Sequence, residues 1–334
     1  MAVNKVLLND LKGKRILLLY AKFFNYDIIV KKKLEELGAE VDLFDARAEL
    51  NVYEKALIKI YTGEFWHKLR KYHKGIQEKK KGVIYDIVFT NSYLPIDTIQ
   101  GYREAFPKAQ IVLYLDDSVK NTKGVEKTFT YYDKVMTFDK KDSTQFGIGF
   151  RPLYFEDSYS TTDEGHKTYD LCFIGTIHSD RLRVIESFED YCSQNGLVFY
   201  SFGFLQSRFM YFFYWLTKSE FRKKKPSYFS YKALPSSEVA DKLLNSRVVL
   251  DIQHPKQTGL TMRTIETLGA RKKLITTNSD ITNYDLYNPK NIAVIDRNNP
   301  QINESFFTTP FEPIGQDILE KYSLQGWIYT LFCE

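Results

Sequence analysis

Residues 247–278 read "RVVLDIQHPKQTGLTMRTIETLGARKKLITTN". The runs "RVVLDIQ" and "KLITTN" are short and apolar, as expected of parallel strands buried on both faces. Between them lie a loop rich in Gly and Thr and a helical stretch beginning near Leu260 or Thr261. Strand, helix and strand in succession are the unit from which a doubly wound α/β sheet is built. The first turns of this helix carry Arg263 and Glu266, spaced i,i+3 and therefore on one face.

The alternation continues in both directions. Downstream, "NIAVID" (291–296) is a strand, and a final helix runs around 315–332. Upstream, "PSSEVADKLLNS" (235–246) is a helix whose start fits a capping box from Ser236 or Ser237, and "LVFYSFG" (197–203) is a strand. "SDRLRVIESFEDYCSQNG" (179–196) is a helix capped by Ser179 or Asp180, following the strand "YDLCFIGT" (169–176). The polar, aperiodic segment "EDSYSTTDEGHKT" (156–168) reads as a linker. Before it, "RILLLYA" (15–21), "EVDLFDAR" (40–47), "YDIVFTNS" (85–92), "QIVLYLDDS" (110–118), "KVMTFDK" (134–140) and "FRPLYF" (150–155) read as strands. Helices are expected over "YDIIVKKKLEELG" (26–38), over a Lys- and aromatic-rich region reaching Lys81, and over "IDTIQGYREAFPKAQ" (96–110). The expected architecture is α/β, with two Rossmann-like doubly wound domains facing an interdomain cleft. Residues 1–155 form the first domain, 156–168 the linker, 169–318 the second domain and 319–334 a C-terminal helix.

Composition narrows the function classes. Of the 334 residues, 43% are hydrophobic and 27% charged, enough for a real core. The net charge of +5 is mild and sits in runs such as "VKKKLEELG" (30–38) and "EKKKG" (78–82), which read as solvated helix faces. With no zinc spacing and no nucleic-acid-binding module, nucleic acid is not an expected partner. The cysteines, Cys172, Cys192 and Cys333, are scattered and form no disulfide framework, which suits a reducing cytoplasm. The N-terminus lacks a signal-peptide pattern, and no run approaches the roughly 20 apolar residues that span a bilayer.

Open α/β sheets bind ligands at the carboxyl ends of their strands. In the second half those positions hold "GTIHSDR" (175–181), "QHPKQTGLTMR" (253–263) and "TTNSD" (276–280), and in the first half "AKFFNYD" (21–27), "TNSYL" (90–94) and "DDSVK" (116–120). The second-half set is rich in Gly, Thr, Ser, Arg and His, the donors an anionic ligand needs. Amides at a helix N-terminus favour phosphate, and Arg263 adds charge beside them. Glu266 can accept two hydrogen bonds from a ribose diol. An Arg–Glu pair on a helix beside a loop accounts for the same two residues without a ligand.

The segments "VVLDIQHPKQTGLTMRTIETLGARKKLITTNSDI" and "YNPKNIAVIDR", with "YDLCFIGTIHSDR" before them, resemble the C-terminal half of GT-B glycosyltransferases. The similarity is to group-1-like and CgeB-like enzymes of the kind encoded in bacterial capsule and lipopolysaccharide loci. It covers roughly 170–297, and extends to the first half only as a general pattern through "KRILLLYAKFF" and "IVLYLDDS". The resemblance implies a nucleotide-sugar donor as substrate, no cofactor and no metal. It implies that Glu266 holds the donor ribose and that Thr258, Gly259, Leu260 and Thr261 belong to the loop over the donor. Gly175 would make the tight turn after the first strand, and Arg181 would meet the diphosphate. Many retaining members carry a second glutamate eight residues before the ribose-binding one. Thr258 occupies that position here, which leaves retaining and inverting chemistry both open.

His178 is a candidate for phosphate, sugar or catalytic contact, or a hydrogen-bonded loop histidine. His254 reads as structural. Asp116 and Asp117 end a first-domain strand, where one of them would serve as the general base of an inverting transfer; a turn role fits "DDS" equally. The stretch 202–232 packs aromatics beside "FRKKK", a composition suited to an anionic membrane interface through 202–225 or to a helix packed on the domain. Two functions follow. One is a cytoplasmic glycosyltransferase, peripheral at the inner membrane face where 202–225 meets lipid, transferring to a saccharide or lipid-linked saccharide. The other is a non-catalytic nucleotide-sugar- or polysaccharide-binding protein of the same fold.

Overall fold

The computed structural model describes residues 11–22, 25–47, 62–160, 167–255 and 258–334. Parts of the sequence expectations fall elsewhere: residues 48–61 of the Lys-rich region, 161–166 of the linker, and 256–257 of the Gly/Thr loop lie outside the described residues.

The chain forms two compact units, one of residues 1–152 with 324–334 and one of residues 153–323. In the first, β1 (Arg15–Tyr20), β2 (Glu40–Asp45), β3 (Ile87–Thr90), β4 (Gln110–Leu115), β5 (Lys134–Thr137) and β6 (Gly149–Phe150) form one parallel sheet in the order β2-β1-β3-β4-β5-β6. Its connections include helices α1 (Tyr26–Glu36), α2 (Thr62–Lys79), α3 (Ile96–Ala105) and α4 (Lys140–Phe146). "RILLLY" is buried from its second residue onward because helices cover both faces of a parallel sheet. The Lys run on α1 is a solvated face, as its composition indicates: Lys31 and Lys32 pair with Glu35 and Glu36 at i,i+4.

The second unit repeats the plan. Strands β7 (Tyr169–Thr176), β8 (Phe199–Phe204), β9 (Ser246–Asp251), β10 (Lys273–Thr276) and β11 (Ile292–Val294) are parallel in the order β11-β10-β9-β7-β8. Its helices are α5 (Arg181–Gln194), α6 (Arg208–Thr217), α7 (Ser219–Arg222), α8 (Ser236–Leu244), α9 (Met262–Gly269), α10 (Ser305–Thr308) and α11 (Gln316–Tyr322); α12 (Leu324–Phe332) then belongs to the first unit. There Trp327 is fully buried, its ring edge-on to Tyr114 at 5.0 Å between centroids.

Local details depart from the sequence expectations. The strand expected over 150–155 shrinks to Gly149–Phe150, since only Gly149 and Phe150 find partners on β5. The final helix is broken: Ser323 is extended, and the Tyr322 carbonyl accepts a hydrogen bond from Phe155 N at 2.9 Å rather than from a helical amide. Neither Ser236 nor Ser237 caps α8, which starts at Ser236 after Pro235 with no side-chain cap. Asp180 precedes α5 but does not cap it, because its carboxylate is engaged by Arg297 and Arg183. Within 156–160, Glu156 and Tyr159 are buried around a 3₁₀ turn.

Candidate functional site

Both sheets change winding direction at a switch point, between β1 and β3 in the first and between β7 and β9 in the second. The crevice beyond the strand ends there is where open α/β sheets hold ligands. Arg181 occupies the second of these. Its Nη1 donates to the carbonyl of Thr176, the last residue of β7, at 2.8 Å. Its Nε donates to the carbonyl of Ile252, just past β9, at 2.6 Å. One guanidinium thus ties the two strands whose parting opens the crevice. Gly175 does not make a turn after the strand, since it lies within β7 paired with Gly203 of β8. Its missing side chain leaves room for Arg181, because a Cβ there would stand 3.3 Å from Arg181 Nη1 and 3.1 Å from the Phe173 ring.

Carbonyls accept hydrogen bonds but carry no net charge, so the charge of Arg181 is balanced only at longer range. Burial lowers its pKa, with the charges of Arg263 and Arg297 acting the same way and Asp251 and Asp180 opposing. Arg297 completes a group of three arginines and was not singled out from the sequence. It lies past β11, where its Nη2 donates to the Gln253 carbonyl at 3.0 Å and to Thr277 Oγ1 at 3.1 Å, while Nη1 reaches Asp180 at 3.3 Å. The signal was available, because "NIAVIDR" ends a strand at the same sheet edge as the other candidates.

Helix α9 is set by a polar knot. Thr261 is its N-cap, its Oγ1 accepting from Thr264 N at 3.1 Å, and both threonine hydroxyls donate to Asp251 Oδ2 at 2.7 Å. Asp251 is itself the last residue of β9, so the helix start is fixed to the strand end. The loop before it is pinned by Asn278, whose Nδ2 donates to the carbonyls of Thr258 at 3.2 Å and Gly259 at 3.4 Å. Leu260 is buried beneath. Gly269, at the far end of α9, admits the Phe155 ring, which a Cβ would strike at 2.4 Å.

Glu266 lies in the interior of the second unit. It is 4% exposed and accepts from Arg263 Nη1 at 2.7 Å. The i,i+3 pair therefore forms, but inside the unit. Tyr159 also hydrogen-bonds Glu266, and its pKa is pushed up by burial first and by the Glu266 charge second. Glu156 lies close by, buried and raised to about 7, chiefly by desolvation and then by the Glu266 charge. A carboxyl raised in the folded state from about 4.5 stabilises the fold below that pH and loses its contribution as pH rises through about 7. Glu156→Gln is accordingly expected to raise stability at pH 8 by about 3 kcal/mol, with little gain at pH 4. Urea unfolding at the two pH values measures this, and an equal effect at both would show that Glu156 does not titrate in this window.

His178 and His254 lie with ring centroids 5.3 Å apart. Burial first, then the charges of Arg181, His254 and Lys218, lower His178 to about 4. It is therefore neutral near pH 7, a hydrogen-bonding group rather than a fixed positive charge for phosphate. Its Nδ1 lies 3.2 Å from Ser179 Oγ. Ser179 has φ 51°, unusual for a residue with a Cβ, and Lys218 Nζ donates to its carbonyl.

In the first unit the switch point holds Asn91 and Asp116. Asn91 Oδ1 accepts from Ala21 N at 2.8 Å, and its Nδ2 donates to Asp116 Oδ2 at 2.8 Å, linking the ends of β1, β3 and β4. Apart from this contact Asp116 is solvent-exposed. Asp117 has the turn role: its Oδ1 accepts from Ser118 N at 2.8 Å and from Asn121 Nδ2 at 2.9 Å. Among the described residues no group of three His, Cys, Asp or Glu could hold a metal ion.

No family model matches the chain, and no curated protein matches it in sequence. Solved structures do match over nearly its whole length. The N-terminal domain of Candida albicans trehalose-6-phosphate phosphatase is similar at TM-score 0.59 and 12% identity, covering 96% of each chain. Sucrose-phosphate synthase from Thermosynechococcus elongatus is similar at TM-score 0.56 and 11% identity, covering 96% of this chain and 95% of that one. Anabaena HepE, solved in complex with UDP and glucose, is similar at TM-score 0.53 and 11% identity, with the same coverage. The fold is GT-B-like. At these identities the likeness speaks to the fold alone, two parallel sheets flanked by helices.

Proposed function

We propose that the protein is a glycosyltransferase that takes a sugar from a nucleotide-sugar donor held by the second unit. The observation carrying this reading is Arg181 at the β7/β9 switch point, its charge held by two uncharged carbonyls. A diphosphate would supply a counter-charge in direct contact, where Asp251 and Asp180 act only at longer range, with Arg263 and Arg297 close enough to act on Arg181 electrostatically. The leaving diphosphate gains charge as the glycosidic bond breaks, so guanidinium groups fixed in advance stabilise the transition state more than the bound donor. Glu266 holds the ribose, the 258–261 loop covers the donor, and neutral His178 hydrogen-bonds the sugar. The presence of UDP and glucose in the complex of the structurally similar HepE supports this reading.

The acceptor is a saccharide, and a lipid-linked one would place the reaction at the inner face of a membrane, as in surface-polysaccharide synthesis. In the first unit Asp116 is the candidate base. A groove of about 520 Å³ lined by Lys22, Asp27, Phe44, Asp45, Lys68 and Tyr72 offers the mixture of aromatic and charged groups that suits a sugar.

The test is a thermal-shift screen against nucleoside diphosphates and nucleotide sugars, followed by an assay for nucleoside diphosphate release. A ligand at about 100 times its Kd stabilises by about 2.7 kcal/mol. Stabilisation with release on adding acceptor supports transfer. Stabilisation without release under any acceptor marks a binding protein, and no stabilisation by any member overturns the donor site.

A further inference from the structure

Helix α6, "RFMYFFYWLT", inverts the usual arrangement of a surface helix. Phe209, Phe212, Phe213 and Leu216 recur at i, i+3, i+4 and i+7, the spacing of one apolar stripe. In a globular domain that stripe faces the core. Here the four are 73%, 54%, 48% and 52% exposed. The inward face is made instead by Tyr211 and Tyr214, which pack on the second unit's core. Tyr214 lies 4.9 Å from the buried Phe221 ring, and Tyr211 donates to the Lys224 carbonyl at 2.8 Å. Trp215, 39% exposed, stacks on Phe212 at 6.2 Å and widens the outward face.

The surroundings of the stripe are basic. Arg208, Arg222, Lys223 and Lys225 are exposed on or just after the helix, whereas Glu220 is the sole acidic residue between 202 and 232. Lys224 belongs to a different environment, paired with Glu189 at 2.9 Å and Glu186 at 3.6 Å, so its charge is already matched. Arg222 donates to the carbonyls of Trp215 and Leu216, both at 3.1 Å, and closes the C-terminal end of α6. The stripe is therefore presented on a helix whose inner face and end are both secured.

We infer that α6 docks the protein onto an anionic lipid surface, its Phe/Leu/Trp face lying in the headgroup–acyl boundary and Arg208, Lys223 and Lys225 among the lipid phosphates. Apolar residues on one side with cations beside them are what an interfacial helix requires. The helix has ten residues, about 15 Å, half the hydrocarbon thickness, and among the described residues no helix is long and apolar enough to cross a membrane. It lies on the bilayer rather than through it. A second copy of the chain fits less well, because a symmetric contact through the stripe would bring two basic clusters together. Lys218, at the end of α6, bonds the Ser179 carbonyl in the loop after β7, so the docked helix is joined directly to the Arg181 switch point.

The test is co-sedimentation of the full chain with vesicles of phosphatidylcholine alone and of phosphatidylcholine with phosphatidylglycerol. Two variants accompany it: Phe209→Ser/Phe212→Ser/Phe213→Ser, and Arg208→Gln/Lys223→Gln/Lys225→Gln. All six positions are exposed, and circular dichroism checks that the fold persists. The parent chain is expected to bind the anionic vesicles and not the neutral ones, with binding falling as salt rises. The charge variant should lose affinity about a hundredfold, and the aromatic variant should not bind. No binding by the parent, equal binding to both vesicle types, or undiminished binding by the aromatic variant would overturn the inference. So would a concentration-dependent dimer, seen by analytical ultracentrifugation, that the aromatic variant abolishes. Nucleotide affinity without vesicles should be the same in all three proteins, which separates this surface from the donor site.

Discussion

Arg181→Lys is expected to weaken the binding of a nucleoside diphosphate about ten- to a hundredfold, while the affinity for the parent nucleoside is unchanged. Lysine keeps the charge but presents a single ammonium, whereas the guanidinium spans Thr176 and Ile252 and has N–H donors beyond those two bonds. A charge-assisted hydrogen bond contributes about 1.5–3 kcal/mol, which sets that range. Turnover should fall further than donor binding, because the contact strengthens as the diphosphate leaves. Calorimetry with the nucleoside and its diphosphate, alongside thermal melting of the free protein, distinguishes the alternatives. A lowered Tm with unchanged diphosphate affinity would mean that Arg181 only clamps the two strands.

Glu266→Ala should destabilise the protein by about 3 kcal/mol, because it leaves the Arg263 guanidinium, 18% exposed in its side chain, without the carboxylate it now meets at 2.7 Å. Removing both partners should cost less than removing Glu266 alone, since no uncompensated charge then stays behind. Glu266→Gln keeps one acceptor oxygen for Arg263 and offers an NH2 from which the Tyr159 hydroxyl can accept, and it should remain folded. In that variant the ribose contact can be read separately: the parent should prefer a ribonucleoside diphosphate over its 2′-deoxy form, and the variant should not. Urea unfolding of the two alanine variants and the double variant checks the first expectation. If the parent shows no preference for the ribonucleotide, Glu266 is a structural partner of Arg263 and not a ribose ligand.

Features that depend on neighbours in sequence were legible. The parallel strands announced themselves as apolar runs, since burial on both faces leaves no polar alternation to disguise them, as "RILLLY" and "RVVLD" show. The doubly wound plan followed from their alternation with helices, and with it the rule that ligand groups collect at strand ends. That rule draws attention to Asp116, Gly175, Arg181 and Thr261, which lie at or beside strand ends in the fold. The start of α9, expected near Leu260 or Thr261, was legible from the helical stretch that follows the Gly/Thr loop, while the Thr261 cap emerged from the structure.

The tertiary structure decided what each group's charge meets. Whether Arg181 faces carboxylates or carbonyls depends on the ends of β7 and β9, which lie 76 residues apart in the chain (Thr176 to Ile252) and adjacent in space. The environment of Glu266 includes the Glu156 charge and a hydrogen bond with Tyr159, both in a segment whose polar composition reads as a linker. The separate roles of Asp116 and Asp117 turn on which carboxylate Asn91 reaches and which one Ser118 and Asn121 take. The stretch 202–225 reads from sequence either as a membrane interface or as a helix packed on the domain, and only the packing of Tyr211 and Tyr214 shows that the Phe/Leu stripe of α6 faces solvent. Hydrophobic periodicity is a local property of the chain, whereas the dielectric and the counter-charge around a side chain are set by residues far away in sequence.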